Sequence, residues 1–445
     1  MMPLSVFLKQ RGHEVLGSDR SYDHGKSPEK FKMLKDLGIV LCPQDGNGVK
    51  GCDYLVVSTA IEETIPDVKG AKDMDIPIIK RGKLLAEVFN KAKTSIGIAG
   101  TSGKSTVTGM IGTIFAATGN NPTVVNGGKV KNFSGPFQDI KVGNPDLFIA
   151  ELDESDGSIE HYTPDIAVLN NIALDHKSIE EIESYFQKFL SRAKKAIIIN
   201  IDDIRLKNIA GSLSGSAKII SYSLSDKAAD LFADNIKYTK HGTEFTLNHT
   251  GQLYRVSLKV PGKHNIMNAL AAIGAALVGG VNVTSAIEGL LSFEGIKRRL
   301  EYVGEQNGIT IIDDFAHNPD KISASLETLK SFDGRLIIMF QPHGFGPLRL
   351  MGQEIIEAFS RNMSDEDIII MPEVYYAGGT VDRSVTSAHI IDGLINKGKK
   401  ALWFENREKI KPYFVKEAKT GDRIIIMGAR DDSLSDFAKE ILRSA

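Results

Sequence analysis

Residues 97–106 read GIAGTSGKST, with an apolar run before them and VTGMIGTIFAATG after them. A strand, a glycine turn and a helix start in that order expose backbone N–H groups and the positive end of a helix dipole to an anion. The nucleotide-loop pattern G-x4-G-K-S/T is met in its last part by Gly103, Lys104 and Ser105. Ile98 stands where the first glycine belongs, and Gly100 lies three positions before Gly103 instead. The physical requirement is still met. Gly100, Thr101 and Gly103 shape the turn, Lys104 neutralises β- and γ-phosphates, and the hydroxyl of Ser105 or Thr106 reaches a magnesium ion. A glycine turn with a hydroxyl cap is the plainer alternative.

Downstream, PDLFIAELDESDG reads as a strand ending in Glu151, Asp153, Glu154 and Asp156. Ligands of open α/β sheets bind at the carboxyl ends of strands, so this cluster predicts a second wall of the same crevice. Like charges so crowded repel, and a divalent cation is one way to relieve them; a solvated acidic loop is the other reading. The next strand, in PDIAVLNNIALDH, ends at Asp175 and His176, which brings an imidazole to the same rim.

Working outward, the chain divides into three blocks. Residues 1–92 alternate strands (HEVLGSD, IVLC, YLVVST, IPIIK) with helices such as PEKFKMLKDLG. This block opens on a helix that feeds what looks like a second strand, so a first strand and its glycine turn are expected upstream unless the domain starts with a helix. Residues 93–297 hold the motif, the acidic strand, KAIIIN and the helical KHNIMNALAAIGAALVGG. Residues 298–445 give five further strands, ITIIDDFAHNP, RLIIMFQPH, DIIIMPEVY, KALWF and DRIIIMG. The expected fold is α/β in three domains: a Rossmann-like N-terminal domain lacking its first strand, a central parallel sheet of the P-loop ATPase type, and a Rossmann-like C-terminal domain.

Bulk composition narrows the partners. With 54 Lys and Arg against 56 Asp and Glu, the net charge of −2 calls for neither nucleic acid nor a membrane surface. The two cysteines, Cys42 and Cys52, cannot form a disulfide scaffold and read as reduced thiols of a cytoplasmic protein. No secretory signal is visible, and NALAAIGAALVGGV is too short to span a bilayer.

The ordered set GTSGKST, VNGGKVKNF, AELDESDGS, NNIALDH, VPGKHNIMNALAA, FEGIKRRLEYVGE and IIDDFAHNP resembles the Mur ligases, from GHEVLGSD and STAI in the first block to MGARDDSL near the end. The match is best to the alanine-adding branch and to the branch that attaches a murein tripeptide. The resemblance implies an enzyme that joins the carboxylate of UDP-N-acetylmuramate to an amino acid, L-alanine by default, through an acyl phosphate, with ATP and Mg2+, in peptidoglycan synthesis. A murein peptide or another amide substrate, and a nucleotide-binding protein without ligase activity, are the alternatives. A monomer or weak homodimer is expected.

By the same resemblance, Gly103, Lys104 and Ser105 hold the ATP phosphates, and Ser105, Glu151 and His176 meet magnesium. Asn268 reads the adenine with His264 and Asn265 beside it. Arg299 contacts the γ-phosphate, Asp313 or Asp314 takes the ribose hydroxyls, and His317 lies beside nucleotide and substrate. Ser18, Asp19, Ser58 and Thr59 are the sugar-nucleotide candidates, and His343 and Arg349 those for the amino acid. A solvated interdomain pair is the alternative for Arg298 and Arg299, and Arg298 is the weaker candidate of the two.

This chain also departs from the family. FQPHGFGPLRLM keeps His343 but has Gly344 where an arginine is expected, with the next arginine displaced to Arg349. Glycine cannot replace a bidentate guanidinium clamp on a carboxylate. Asn318 replaces a second histidine, and no equivalent of the carbamylated lysine of some members is evident.

Overall fold

The computed structural model describes residues 1–58, 61–173, 178–239, 242–376 and 382–444. The chain forms two compact units. One comprises Met1–Ile236, Phe245–Ser257 and Asn265–Glu294, and the other Lys237–Glu244, Leu258–His264 and Gly295–Ala445.

The four strands expected in the first block are present: β1 (Leu16–Ser18), β2 (Val40–Cys42), β3 (Leu55–Val57) and β4 (Ile78–Lys80). They pair as two separate parallel ribbons, β1 with β2 and β3 with β4. Helices Met2–Gln10, Pro28–Asp36 and Arg81–Asn90 turn Leu4, Phe7, Phe31, Leu34, Leu85 and Phe89 into the core shared with the strands that follow. Phe89 meets Phe148 and Tyr162 edge-on, with ring centroids 5.8 and 5.2 Å apart. Burying each such ring contributes about 2–3 kcal/mol.

The first unit is built on a ten-stranded sheet. Its strands are β5 (Thr94–Ala99), β6 (Pro122–Val125), β7 (Ile140–Lys141), β8 (Asn144–Glu151), β9 (Ile166–Leu169), β10 (Ala196–Asn200), β11 (Lys218–Ser223), β12 (Leu231–Thr239), β13 (Gly242–His249) and β14 (Gln252–Leu258). The order is β14-β13-β12-β11-β10-β9-β5-β8-β6-β7. The strands β6, β8, β5, β9, β10 and β11 run parallel, and all residues of β9 and β10 are buried, which is why these runs read as unbroken Val, Ile and Leu. The run β12–β14 was not anticipated, although the alternation of buried and open positions in β13 and β14 is the pattern of half-buried strands.

The second unit carries a six-stranded sheet of order β15-β16-β20-β17-β18-β19, formed by β15 (Glu301–Gln306), β16 (Ile309–Asp314), β17 (Leu336–Gln341), β18 (Ile368–Met371), β19 (Lys400–Trp403) and β20 (Arg423–Gly428). Five parallel strands match the expectation. The sixth, β15, is an antiparallel edge on β16, and its half-open polar sequence EYVGEQ hid it. Among the described residues no helix is long and apolar enough to cross a membrane.

Candidate active site

Strand β5 lies between β8 and β9, parallel to both, with Ile98 opposite Glu151 and Ala99 opposite Leu169. The turn that leaves β5 therefore emerges on the same sheet edge as Glu151 and the residues after Leu169. Gly100 and Gly103 have φ of +134° and +84°, and the helix Lys104–Ala117 starts directly after the second. A Cβ on Gly103 would lie 2.5 Å from both Asn170 Nδ2 and Asn268 Oδ1, so only glycine fits there. Among the described residues the N–H groups of Gly103, Lys104 and Ser105 find no internal acceptor, as expected for a helix start that receives an anion.

The turn is clamped by asparagines the sequence reading passed over. Asn171 accepts from the Ser102 N–H at 2.8 Å and donates to its carbonyl at 2.9 Å. Asn170 donates to the Ser102 carbonyl and to Asn268 Oδ1, at 3.0 and 2.9 Å, and accepts from the Tyr222 hydroxyl at 2.7 Å. Thr101 exchanges two hydrogen bonds with the Ala173 backbone. The double asparagine in NNIALDH, at the end of a buried strand, was the available signal. Asn268 is 2% exposed and donates in turn to Asn265 Oδ1 at 3.1 Å. Asn268, expected to read the adenine, also braces the phosphate turn from its own helix. His264 is a separate case, with its Nδ1 3.5 Å from Thr328 Oγ1.

Lys104 extends back over the turn, donating to the Gly100 carbonyl at 2.6 Å and pairing with Glu154 at 2.9 Å. Burial pushes the Glu154 carboxyl up, against the pull of Lys104. The acidic cluster does not pool its charge. Glu151 accepts from the Gly127 N–H at 2.7 Å, Asp153 and Asp156 cap the N–H groups of Ser155 and Ser158, and Arg81 lies 3.8 Å from Asp156. Among the described residues no three His, Cys, Asp or Glu side chains gather as a metal site, and Glu151, Asp153, Glu154 and Asp156 are each satisfied by separate partners. Asn126 links that rim to the turn, donating to the Ser105 carbonyl and accepting from the Gly127 N–H, both at 3.1 Å. His176, Asp175 and Thr59 lie outside the described residues.

On the ribbons, Ser18 donates to Asp67, whose other oxygen accepts from the Gly46 N–H at 2.9 Å. Asp19 caps Ser21 and meets Lys30 at 3.3 Å, while the Ser58 carbonyl accepts from the Ile61 N–H. Ser18 and Asp19 thus already hold the ribbon together.

In the second unit, Arg298 is buried, not solvated. It donates to the carbonyls of Gly428 (2.7 Å) and Asp431 (3.2 Å), pairs with Asp313 at 3.4 Å and lies over the Phe315 ring. Arg299 covers the same ring at 4.8 Å. Asp313 and Asp314 are 1% and 3% exposed, and Ser435 and Ser325 donate to them at 2.6 and 2.5 Å. Burial pushes both carboxyls up. Both carboxylates, expected at the ribose, also hold this unit together from within. His317 and His343 pack edge to face at 5.3 Å, and His317 Nδ1–H donates to the Phe315 carbonyl. Burial, reinforced by Lys321, lowers the His317 pKa to about 3; burial and Arg430 lower that of His343 to about 4. Both rings are neutral near pH 7. Arg349 is engaged by Asp382 at 2.6 Å.

A glycine-turned helix start facing a carboxylate across one parallel edge defines a nucleotide-phosphate-binding α/β protein. Residues 1–93 match the model of the Mur ligase family catalytic domain, 98–276 the Mur ligase middle domain, and 298–430 the Mur ligase glutamate ligase domain. The chain is 33% identical to the UDP-N-acetylmuramate–L-alanine ligase of Fusobacterium nucleatum, over 99% of this chain and 94% of that one. It is 35% identical to the ligase of the same name from Caldicellulosiruptor bescii, over 97% and 94%. The crystal structure of UDP-N-acetylmuramate-alanine ligase from Thermotoga maritima shares the fold, with a TM-score of 0.80 at 23% identity over 100% and 96% of the two chains. The chain belongs to the Mur ligase family of ATP-dependent ligases, with the family's three-domain α/β fold.

Proposed function

We propose that this chain forms an amide bond between the carboxylate of UDP-N-acetylmuramate and L-alanine at the expense of ATP, in peptidoglycan synthesis in the cytoplasm. The observation that carries the reading is the shared edge: the Gly100–Ser105 turn and Glu151 leave adjacent parallel strands in register. The free N–H groups of Gly103, Lys104 and Ser105 receive the terminal phosphates, and Lys104 leaves Glu154 to neutralise them. Glu154, buried and deprived of its cation, then favours its protonated form. The Ser105 hydroxyl and the Glu151 carboxylate are hard oxygen donors that suit Mg2+, with His176 as a third ligand. Bound there, the ion would supply charge stabilisation for phosphoryl transfer to the substrate carboxylate.

Neutral His317 and His343 offer an acceptor nitrogen each without adding positive charge near the incoming amine. Domain boundaries fall at residues 92/93 and 297/298, and the chain works as a monomer or weak dimer. The test is phosphate release with each component withheld in turn. Release that needs UDP-N-acetylmuramate, ATP, Mg2+ and L-alanine together, and that Lys104→Ala abolishes, supports the reading; release with none of a panel of amino acids and murein peptides overturns it.

A further inference from the structure

The loops after β17 and β18 form one rim of the second unit. Tyr375 donates its N–H to the Pro342 carbonyl at 2.8 Å, the Gly344 N–H donates to Tyr375 at 2.9 Å, and His343 bridges Tyr375. Gly344 has φ +74° and ψ 132°, a conformation that side chains rarely adopt, and a Cβ there would sit 3.3 Å from Pro347. An arginine at 344 would be strained on this backbone. Two residues past His343 on the chain, Phe345 meets Tyr376 edge-on at 5.6 Å. Arg383 lays its guanidinium over both rings, 5.5 Å from Phe345 and 5.3 Å from Tyr376.

Stacking occupies the faces of a guanidinium and leaves its N–H edge free to bind. Among the described residues Arg383 has no carboxylate partner and no hydrogen-bond acceptor. The adjacent Asp382 is unable to neutralise it, because Arg349 takes one of its oxygens at 2.6 Å and the Ser384 N–H the other at 2.9 Å. The same rim carries the start of the helix Phe345–Asn362, which has no side-chain cap and adds positive potential.

We propose that Arg383 anchors the α-carboxylate of the incoming amino acid, replacing the guanidinium absent at Gly344, while Arg349 keeps Asp382 away from it. This rests on the amide-ligase reading above. The ligand class is a small amino acid with a free carboxylate.

The experiment compares L-alanine with L-alaninamide, measured as amide product, in the wild type and in Arg383→Gln and Arg383→Lys, with melting temperatures as the check on folding. Arg383→Gln, which keeps the stem, should raise the KM for L-alanine roughly ten- to a hundredfold and leave the KM for ATP and UDP-N-acetylmuramate unchanged. It should also erase the preference for L-alanine over its amide, and Arg383→Lys should restore part of it. An unchanged KM for L-alanine with the preference intact in Arg383→Gln overturns the assignment and leaves the ligase reading standing. A wild type that joins no amino acid overturns both.

Discussion

Gly103 shows how narrowly the turn is specified. Ala at this position meets two amide groups at 2.5 Å in a backbone region that disfavours any Cβ, so Gly103→Ala should cost about 1–3 kcal/mol of stability. ATP binding, followed by calorimetry, should fall below detection in the same variant. Arg298→Ala should be worse for the fold, because it strips Asp313 of its cation while leaving that carboxylate 1% exposed; a loss of about 3–5 kcal/mol in urea melts is expected. The histidine pair makes a pH prediction. An unfolded histidine takes up a proton near pH 6.5, whereas folded His317 and His343 resist until about 3 and about 4. The unfolded state therefore binds more protons below pH 6.5, and stability falls as pH drops from there. Replacing both rings with glutamine should flatten the urea midpoint between pH 6.5 and about pH 5.

At the scale of elements, the phosphate turn is held less by its own residues than by its neighbours. Asn170, at the end of β9, ties Ser102, Asn268 and Tyr222 into one buried network. Asn170→Ala leaves Asn268 Oδ1 and the Tyr222 hydroxyl without their partner, while the Ser102 carbonyl keeps Asn171, and should lower stability by about 2–4 kcal/mol. Tyr222→Phe removes one bond and should cost about 1 kcal/mol, with circular dichroism melts separating the two. Here the limits of the sequence are plain. GTSGKST and ELDESD announce a helix start and a carboxylate edge by local pattern alone. The link from Asn170 to Asn268 spans 98 residues and exists because β9 is the neighbour of β5, a pairing no local pattern encodes. The burial of Arg298, Asp313 and Asp314 was illegible for the same reason: it depends on β20 lying beside β16.

For the whole molecule, the alternation of strands and helices was enough to give the α/β class, and the five parallel strands of the second unit stand where their apolar runs are. The edge strand β15 was hidden by its half-open polar sequence, whereas the alternation in β13 and β14 was legible and went unread. Because a nucleotide that binds only the native chain stabilises it by mass action, saturating MgATP at a hundred times its Kd should add about 2.7 kcal/mol to the wild type and nothing to Lys104→Ala, read from thermal shifts. The most direct test is diffraction from crystals grown with a non-hydrolysable ATP analogue and Mn2+ as an anomalous marker. The account predicts the terminal phosphates against the N–H groups of Gly103, Lys104 and Ser105, with the metal between Ser105 and Glu151. Nucleotide and metal bound away from the carboxyl ends of β5 and β8 would contradict it.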